Sequence, residues 1–547
     1  MHEPIPHLSD YHVSAINGFL PTEPPCDRLP NAYSQWEQII QHLPQMIISG
    51  RLRSHVERMP ILSTRMLGSI SEWRRAYTIL SMIAHAYIWG GSRPNDVSFT
   101  SDFSQLWNSD LPDEDGMENF LIALEAEEAE YRDQITQSVL TEHDIQTVPQ
   151  PVSIPFVEIC HHLELPTVAT YAGLVLWNWR PFDDHEPIDN LENLMVLQTF
   201  TGSSDEQWFY LVSVAIEARG GSIIPLMLDA INAVRHNDSA TVAAALRTFA
   251  ECLDDLANIL VRMYEHCDPT IFYNRIRPFF AGSLNMAEAG LPRGVIFDTG
   301  STDDQYVHYA GGSNAQSSII QFFDIVLGIE HRPAGVRSPN ASDPNSSASE
   351  SEGPASTLAP KPGFIQEMRR YMPGPHRRFL EHVERIANIR AFVEANSNDK
   401  ALSAAYDACL AMLRAFRDKH INMVSRYIII KAREAQRGRS ITPPSAKVVN
   451  LASANRAAAD DPRRKLRGSG GTALIPFLKQ ARDETGEPAI NDWIQRIVNN
   501  GPGAAGASPA GGARLKKMGE HADGEVEIVG MAGVWRMDDS EGGICHW

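Results

Sequence analysis

A chain of 547 residues exceeds what one core usually supports, and with 43% hydrophobic residues it can bury the interior of two domains plus appendages. A net charge of −20 argues against a nucleic-acid partner, which requires a basic surface. Six scattered cysteines (Cys26, Cys160, Cys252, Cys267, Cys409, Cys545) form no disulfide framework, no secretory signal is visible, and the longest apolar run, 77–89, is too short for a bilayer. The expectation is therefore a cytoplasmic protein with no membrane partner.

Residues 1–30 are Pro-rich, with Pro21, Pro24 and Pro25 opposing helix, and read as an extended arm. Helical patterns follow at 36–48, 52–59 and 70–85; Gly50 and Pro60 separate them and Pro44 kinks the first. Gly90-Gly91-Ser92 closes this block. Residues 97–148 form an acidic insertion. Between Asp102 and Asp144, thirteen Asp or Glu stand against one Arg, and 119–140 fits an amphipathic helix with a thin stripe of Phe120, Leu124 and Tyr131. The apolar run 208–218 is open between strand and buried helix. Ser239 is a suitable N-cap for a long helix carrying Leu246, Phe249, Leu253, Leu256, Leu260 and Met263 on one face. Residues 334–362 are too polar to pack and read as a flexible loop, residues 437–468 are Arg-rich, and 501–547 reads as a disordered Gly/Ala tail. Apart from 208–218 and a short candidate strand at 295–297, no β-alternation is present. The fold class is all-α.

From 400 to 436 neither Pro nor Gly interrupts a helix whose apolar face runs through Cys409, Leu413, Phe416, His420, Val424 and Tyr427. His420 thus falls in the buried stripe. A hydrogen-bonded core histidine is the commoner occupant of such a position; a metal ligand, haem iron above all, is the sharper reading. Periodicity alone does not choose between them.

The runs Ala404-Ala405-Tyr406-Asp407-Ala408-Cys409, Arg417-Asp418-Lys419-His420 and Ser425-Arg426-Tyr427-Ile428 resemble the proximal-histidine helix of the indoleamine 2,3-dioxygenase family. The likeness covers most of 11–100 and 150–480, including the stretch 163–179 and Ser153-Ile154-Pro155-Phe156. It implies a small N-terminal helical domain (31–165, with the insertion 97–148) capping a large helical haem-binding domain (166–436, with the loop 334–362). A mobile Gly-rich lid loop and closing helix (437–500) and the tail 501–547 would follow. It also makes 208–218 helix. One haem b per chain would lie between the domains, with His420 as its only protein ligand to iron.

Several other stretches acquire roles through the same resemblance. Phe272-Tyr273-Asn274-Arg275-Ile276-Arg277 sets two cations among aromatics, for which pairing with structural carboxylates is the plain reading. The family likeness makes Arg277 the clamp on the substrate carboxylate, whose shape its planar fork matches, and places Phe272 on the indole. Phe209 would face the indole, Ser213 would stand near bound oxygen, and Tyr171 would line the wall; each is otherwise an ordinary core residue. Gly311, Gly312 and Ser313 lack both a phosphate-loop ending and a nucleophile elbow, and match a loop lying against haem and substrate, where paired glycines would allow close approach to a flat macrocycle. Asp324 and Arg417 match a pair supporting the His420 helix, the alternative being an unrelated surface pair. Ser469, in Gly468-Ser469-Gly470-Gly471-Thr472, takes a lid position where Thr is common; a plain flexible linker is the alternative. Cys160-His161-His162 cannot converge on one ion from adjacent helical positions. Gly282-Ser283 departs from the family's Gly-Trp.

The implied activity is insertion of both atoms of O2 across the indole C2–C3 bond of L-tryptophan or a related indoleamine, giving N-formylkynurenine. It requires a reductant for the haem iron, and a monomer is expected. Two other readings stay open: a non-catalytic haem sensor of the same fold, and a haem-free helical scaffold working through its acidic insertion and tails.

Overall fold

Two long helices laid side by side, Ser239–Val261 and Lys400–Val424, form the spine of the interior in this computed structural model. It describes residues 3–90, 146–332, 363–432, 434, 474–490, 527–530 and 533–536. The acidic stretch 97–145 with its 119–140 helix, the loop 334–362 and the Gly-rich segment with Ser469 lie outside the described residues. The apolar face of the first spine helix is buried from Leu246 to Leu260, and Met263, also buried, belongs to the next short helix, Met263–His266. Its N-cap is Asp238, which accepts from the Thr241 amide, and Ser239 is the first helical residue instead. A carboxylate one position earlier reaches the free amides and suits the positive helix end better. Asp399 caps the second spine helix in the same way, accepting from Ala401 and Leu402. Cys409 Sγ lies 2.9 Å from the Leu246 carbonyl, which shows how closely the two helices approach.

The class is all-α. Helix Ser204–Gly221 confirms that the open apolar run 208–218 is helical, and Ile223–Arg235 continues it. Together, 204–235 is long and apolar enough to cross a membrane, a length the sequence reading overlooked, but 78% of its most apolar window is buried in the protein, so core packing accounts for it. The N-terminal block contains Ser34–Gln41, Leu43–Ile48, Leu52–Arg58 and Ile70–Trp89. The single expected 36–48 helix is two, broken at His42, with Pro44 at the start of the second where its missing amide costs nothing. Ile70–Trp89 starts with a capping box between Ser69 and Glu72 and is buried throughout its second half. The arm 1–30 is not merely extended: it carries a 3-10 turn, Leu8–Tyr11, and sinks Val13, Phe19, Leu20 and Leu29 into the core.

Strands are few and short. Thr147–Val148 pairs in parallel with Ile296–Phe297, so 146–148 belongs to the folded body and not to the insertion. Trp179–Pro181 pairs antiparallel with Leu194–Val196, and Glu527–Gly530 with Gly533–Arg536. The last pair is a hairpin inside a tail expected to be disordered; alternating Ile528, Val529, Val534 and Trp535 supply the β-formers.

Candidate functional site

The helix bearing His420 ends differently from its sequence pattern. Regular α-helix stops at Val424, and Ser425–Ile430 forms a π-helical turn. Two further π turns, Ala172–Leu176 and Phe272–Ile276, follow directly on Tyr171 and begin at Phe272. Such single-turn distortions re-aim side chains at the expense of hydrogen-bond geometry and recur at functional sites. They bring three segments together here. The Phe209 ring lies 4.9 Å from Phe272 and 5.4 Å from Phe280, and Phe272 meets Tyr427 edge-on at 5.6 Å. Tyr427 in turn donates to the Cys267 carbonyl at 2.5 Å, tying the end of the His420 helix to the loop that launches the Phe272 turn. Each aromatic pair contributes about 0.5–1.5 kcal/mol beyond its buried area, enough to fix the layer as a unit. Phe280 and Tyr427 received no role from sequence, although both lie within motifs singled out there.

Arg277 follows the Phe272 turn immediately and is buried, 5.7 Å above the Tyr273 ring; burial depresses its pKa. Arg275 is only half-buried. Ser213 is buried one turn beyond Phe209 and donates to the Phe209 carbonyl at 3.3 Å. One turn further stands Glu217, fully buried, which sequence reasoning missed. Its Oε1 accepts from Ser317 at 2.6 Å while Oε2 has no partner among the described residues. The Tyr171 hydroxyl faces Glu217, Ser317 and Ser213. Burial pushes the Glu217 carboxyl up to about 7, against the lowering effect of Ser317 and Tyr171. A lone carboxylate inside the apolar run 211–218 was the signal available for it.

Gly311 and Gly312 are packed against protein. A Cβ on Gly311 would stand 1.8 Å from the Phe280 carbonyl oxygen, and one on Gly312 would stand 2.8 Å from Leu174. Gly311 therefore lets two backbone segments touch, and Gly312 leaves room for the Leu174 side chain. Gln316 locks this contact, donating to Gly311 and accepting from the Tyr171 amide, each at 2.9 Å. Ser313 caps the short turn Asn314–Gln316. Ser283 is buried, with its hydroxyl donating to Val307 and accepting from Tyr309, so the residue replacing the family's Trp is spent on loop pinning.

The stripe residues Cys409, Leu413, Phe416, Val424 and Tyr427 are buried, whereas His420 is half-accessible. Protein surrounds its ring nonetheless: loss of water first, then Arg417, lowers its pKa to about 4. Among the described residues nothing hydrogen-bonds that ring. A neutral imidazole on a rigid helix, with an unclaimed ring nitrogen, has the donor chemistry of an iron ligand and fits the expected haem. Arg417, one turn earlier, reaches both oxygens of Asp324 at 2.7 Å. The pair is buried, not a surface contact. Burial pushes the Asp324 carboxyl up, but Arg417 and His331 outweigh it and hold it below the ordinary value. His331 bridges Asp324 at 3.0 Å and Glu484 at 2.7 Å, and Arg417 also donates to the Ala481 carbonyl at 3.2 Å. Helix Leu474–Thr485 is thereby clamped to the His420 helix. Neither His331 nor Glu484 lay in a motif that sequence could flag. His162 and Cys160 diverge: Cys160 is buried, and His162 is exposed, stacked on Trp73 at 3.9 Å.

Fold and site define a helical protein with a buried aromatic layer and a histidine presented from one of its two spine helices. The family model described as indoleamine 2,3-dioxygenase matches residues 7–488. An indoleamine 2,3-dioxygenase of Saccharomyces cerevisiae is 35% identical, with 88% of this chain and 93% of the relative covered. One from Penicillium citrinum is 34% identical over 87% and 88%. A 6-hydroxytryptophan 2,3-dioxygenase of Fusarium equiseti is 32% identical over 87% and 96%. The chain belongs to the indoleamine 2,3-dioxygenase family, and it is a dioxygenase acting on an indole.

Proposed function

We propose that the chain binds haem b through His420 and converts L-tryptophan and O2 to N-formylkynurenine, both oxygen atoms ending in the product. The single observation carrying this reading is that the helix bearing a neutral His420 runs on to Tyr427, which packs against the buried aromatic layer of Phe272 and Phe209 that leads into buried Arg277. Haem iron, when bound, supplies the activation of O2. The protein supplies position and electrostatics. Arg277 holds the substrate carboxylate, with its fork desolvated so that the charge-assisted bonds are strong. Phe209 and Phe272, packed on one another, present one aromatic wall to the indole, and the Tyr427 edge fixes Phe272 in turn. Ser213 and Tyr171 give the otherwise apolar wall its polar edge, Glu217 orients Tyr171, and Gly311, Gly312 and Ser313 form the loop beside it. Asp324 keeps Arg417, and with it the turn bearing His420, in one place. No residue is required as a general base.

A ring-hydroxylated tryptophan is the second substrate reading, favoured by the similarity to the 6-hydroxytryptophan enzyme. Turnover of L-tryptophan, 6-hydroxy-L-tryptophan and tryptamine by the wild type and Arg277→Ala separates these claims. Losing one charge-assisted interaction, about 1.5–3 kcal/mol, raises KM for both amino acids roughly 10- to 150-fold and leaves tryptamine, which has no carboxylate, unchanged. Equal effects on all three compounds would remove Arg277 from carboxylate recognition.

A further inference from the structure

Three basic side chains from separate segments lie within electrostatic reach of one another: His12 is exposed, Arg74 half-buried and His376 buried. Arg74 lies on Ile70–Trp89, His376 in the first turn of Gly374–Ile386, and His12 just after the 3-10 turn of the arm, with left-handed backbone (φ 55°). Arg74 weakens protonation of both histidines, and His12 weakens that of His376. Burial, then Arg74 and His12, takes His376 to about 3; burial, then Arg74 and Arg378, lowers His12; and burial lowers Arg74 to about 10. His376 is 1% exposed, yet neither of its ring nitrogens finds a hydrogen-bond partner; the His12 carbonyl lies beside the ring without bonding geometry. The Nε of Arg74 is buried and unpartnered as well.

The walls are aromatic. Arg74 lies over the Trp177 ring at 5.4 Å and Phe19 stands 5.0 Å from the His376 ring. The carboxylate of Glu164 is committed to Arg377 at 3.3 Å and Arg378 at 2.6 Å, and among the described residues no Asp or Glu pairs with Arg74. A guanidinium nitrogen and a whole imidazole buried without partners are costly, and a compensating acceptor beside them would relieve both.

We propose that Arg74, His12 and His376 form a binding site for a small oxyanion of the inorganic phosphate type. The fork of Arg74 matches two oxygens of such an ion, and the imidazole N–H groups supply further donors to the others. Chloride uses this directionality poorly, and a cation is excluded by charge. The ion would fasten the arm to two helices on either side of it.

Thermal unfolding of the full-length protein in sodium phosphate or sodium chloride at matched ionic strength tests the site. Phosphate is expected to raise the melting temperature of the wild type beyond chloride. Arg74→Gln should abolish that difference, while melting in chloride at or above the wild-type temperature because an uncompensated charge has gone; a purely structural arginine would lower it. His376→Gln should retain a phosphate response with half-saturation weakened about tenfold. Equal responses of the wild type to both salts, a phosphate response that survives in Arg74→Gln, or an unchanged half-saturation in His376→Gln would each overturn the proposal.

Discussion

Glu217 shows what a single buried residue reveals about this pocket. Its carboxyl is raised to about 7, mainly by burial, from an ordinary value of 4.5. In the folded protein it stays protonated until pH approaches 7, whereas the unfolded chain releases the proton near 4.5. The folded state therefore holds the extra proton, and stability is fully present below 4.5 and lost as pH rises to about 7, by on the order of 3 kcal/mol. Glu217→Gln should remove that decline, so urea unfolding from pH 4.5 to 8 should show the variant gaining on the wild type as pH rises. Parallel curves would mean that Glu217 does not titrate in this window. Individual residues of the site were unevenly legible. His420 stood out because it falls in an apolar stripe, and Phe272 and Arg277 because cations lie among aromatics there; their roles, and Phe209 altogether, came through the family resemblance. Glu217 was passed over because one carboxylate in an apolar run carries little signal until Tyr171 and Ser317 are seen facing it.

At the scale of elements, long amphipathic helices were readable from their spacing, and their ends were not. The stripe from Cys409 to Tyr427 is continuous in sequence, but the chain leaves α-helical geometry at Ser425, where a π turn swings Tyr427 against Phe272. Periodicity has no means of registering one extra residue in a turn. The Gly311 contact was readable only as a need for small residues; that Phe280 backbone fills the space emerges from tertiary packing. The network Asp324–Arg417–His331–Glu484 joins elements far apart in sequence, and only its first pair was visible. Because Arg417 is buried, Asp324→Asn should leave a charge uncompensated and destabilise the fold by about 3–5 kcal/mol, read by urea unfolding. Loosening of the turn that carries His420 should accompany it as a lower haem content after purification. Unchanged stability would show that the network is solvated and peripheral.

For the whole molecule, the all-α class and the family were legible because the resemblance runs through both halves of the chain, while the docking of the arm and the hairpin at 527–536 were not. Those features depend on partners distant in sequence or on short strands that composition masks. His85 exemplifies the assembly: it hydrogen-bonds the Phe279 carbonyl at 2.8 Å and accepts from the Ala169 amide at 2.9 Å, tying the N-terminal helices to the segment that carries Arg277. The five described cysteines are all free, so the assembly rests on packing and such buried bonds. What this assembly is for turns on His420. The most direct measurement is the visible spectrum of the purified wild type and of His420→Ala, ferric and then dithionite-reduced with CO, with and without L-tryptophan, after circular dichroism has shown both to be folded. The wild type should give a histidine-ligated haem spectrum that shifts with tryptophan, and the variant should lose that spectrum. A wild type that takes up no haem even on reconstitution, or a variant with an unaltered spectrum, would contradict His420 as the ligand and return it to the role of a core histidine.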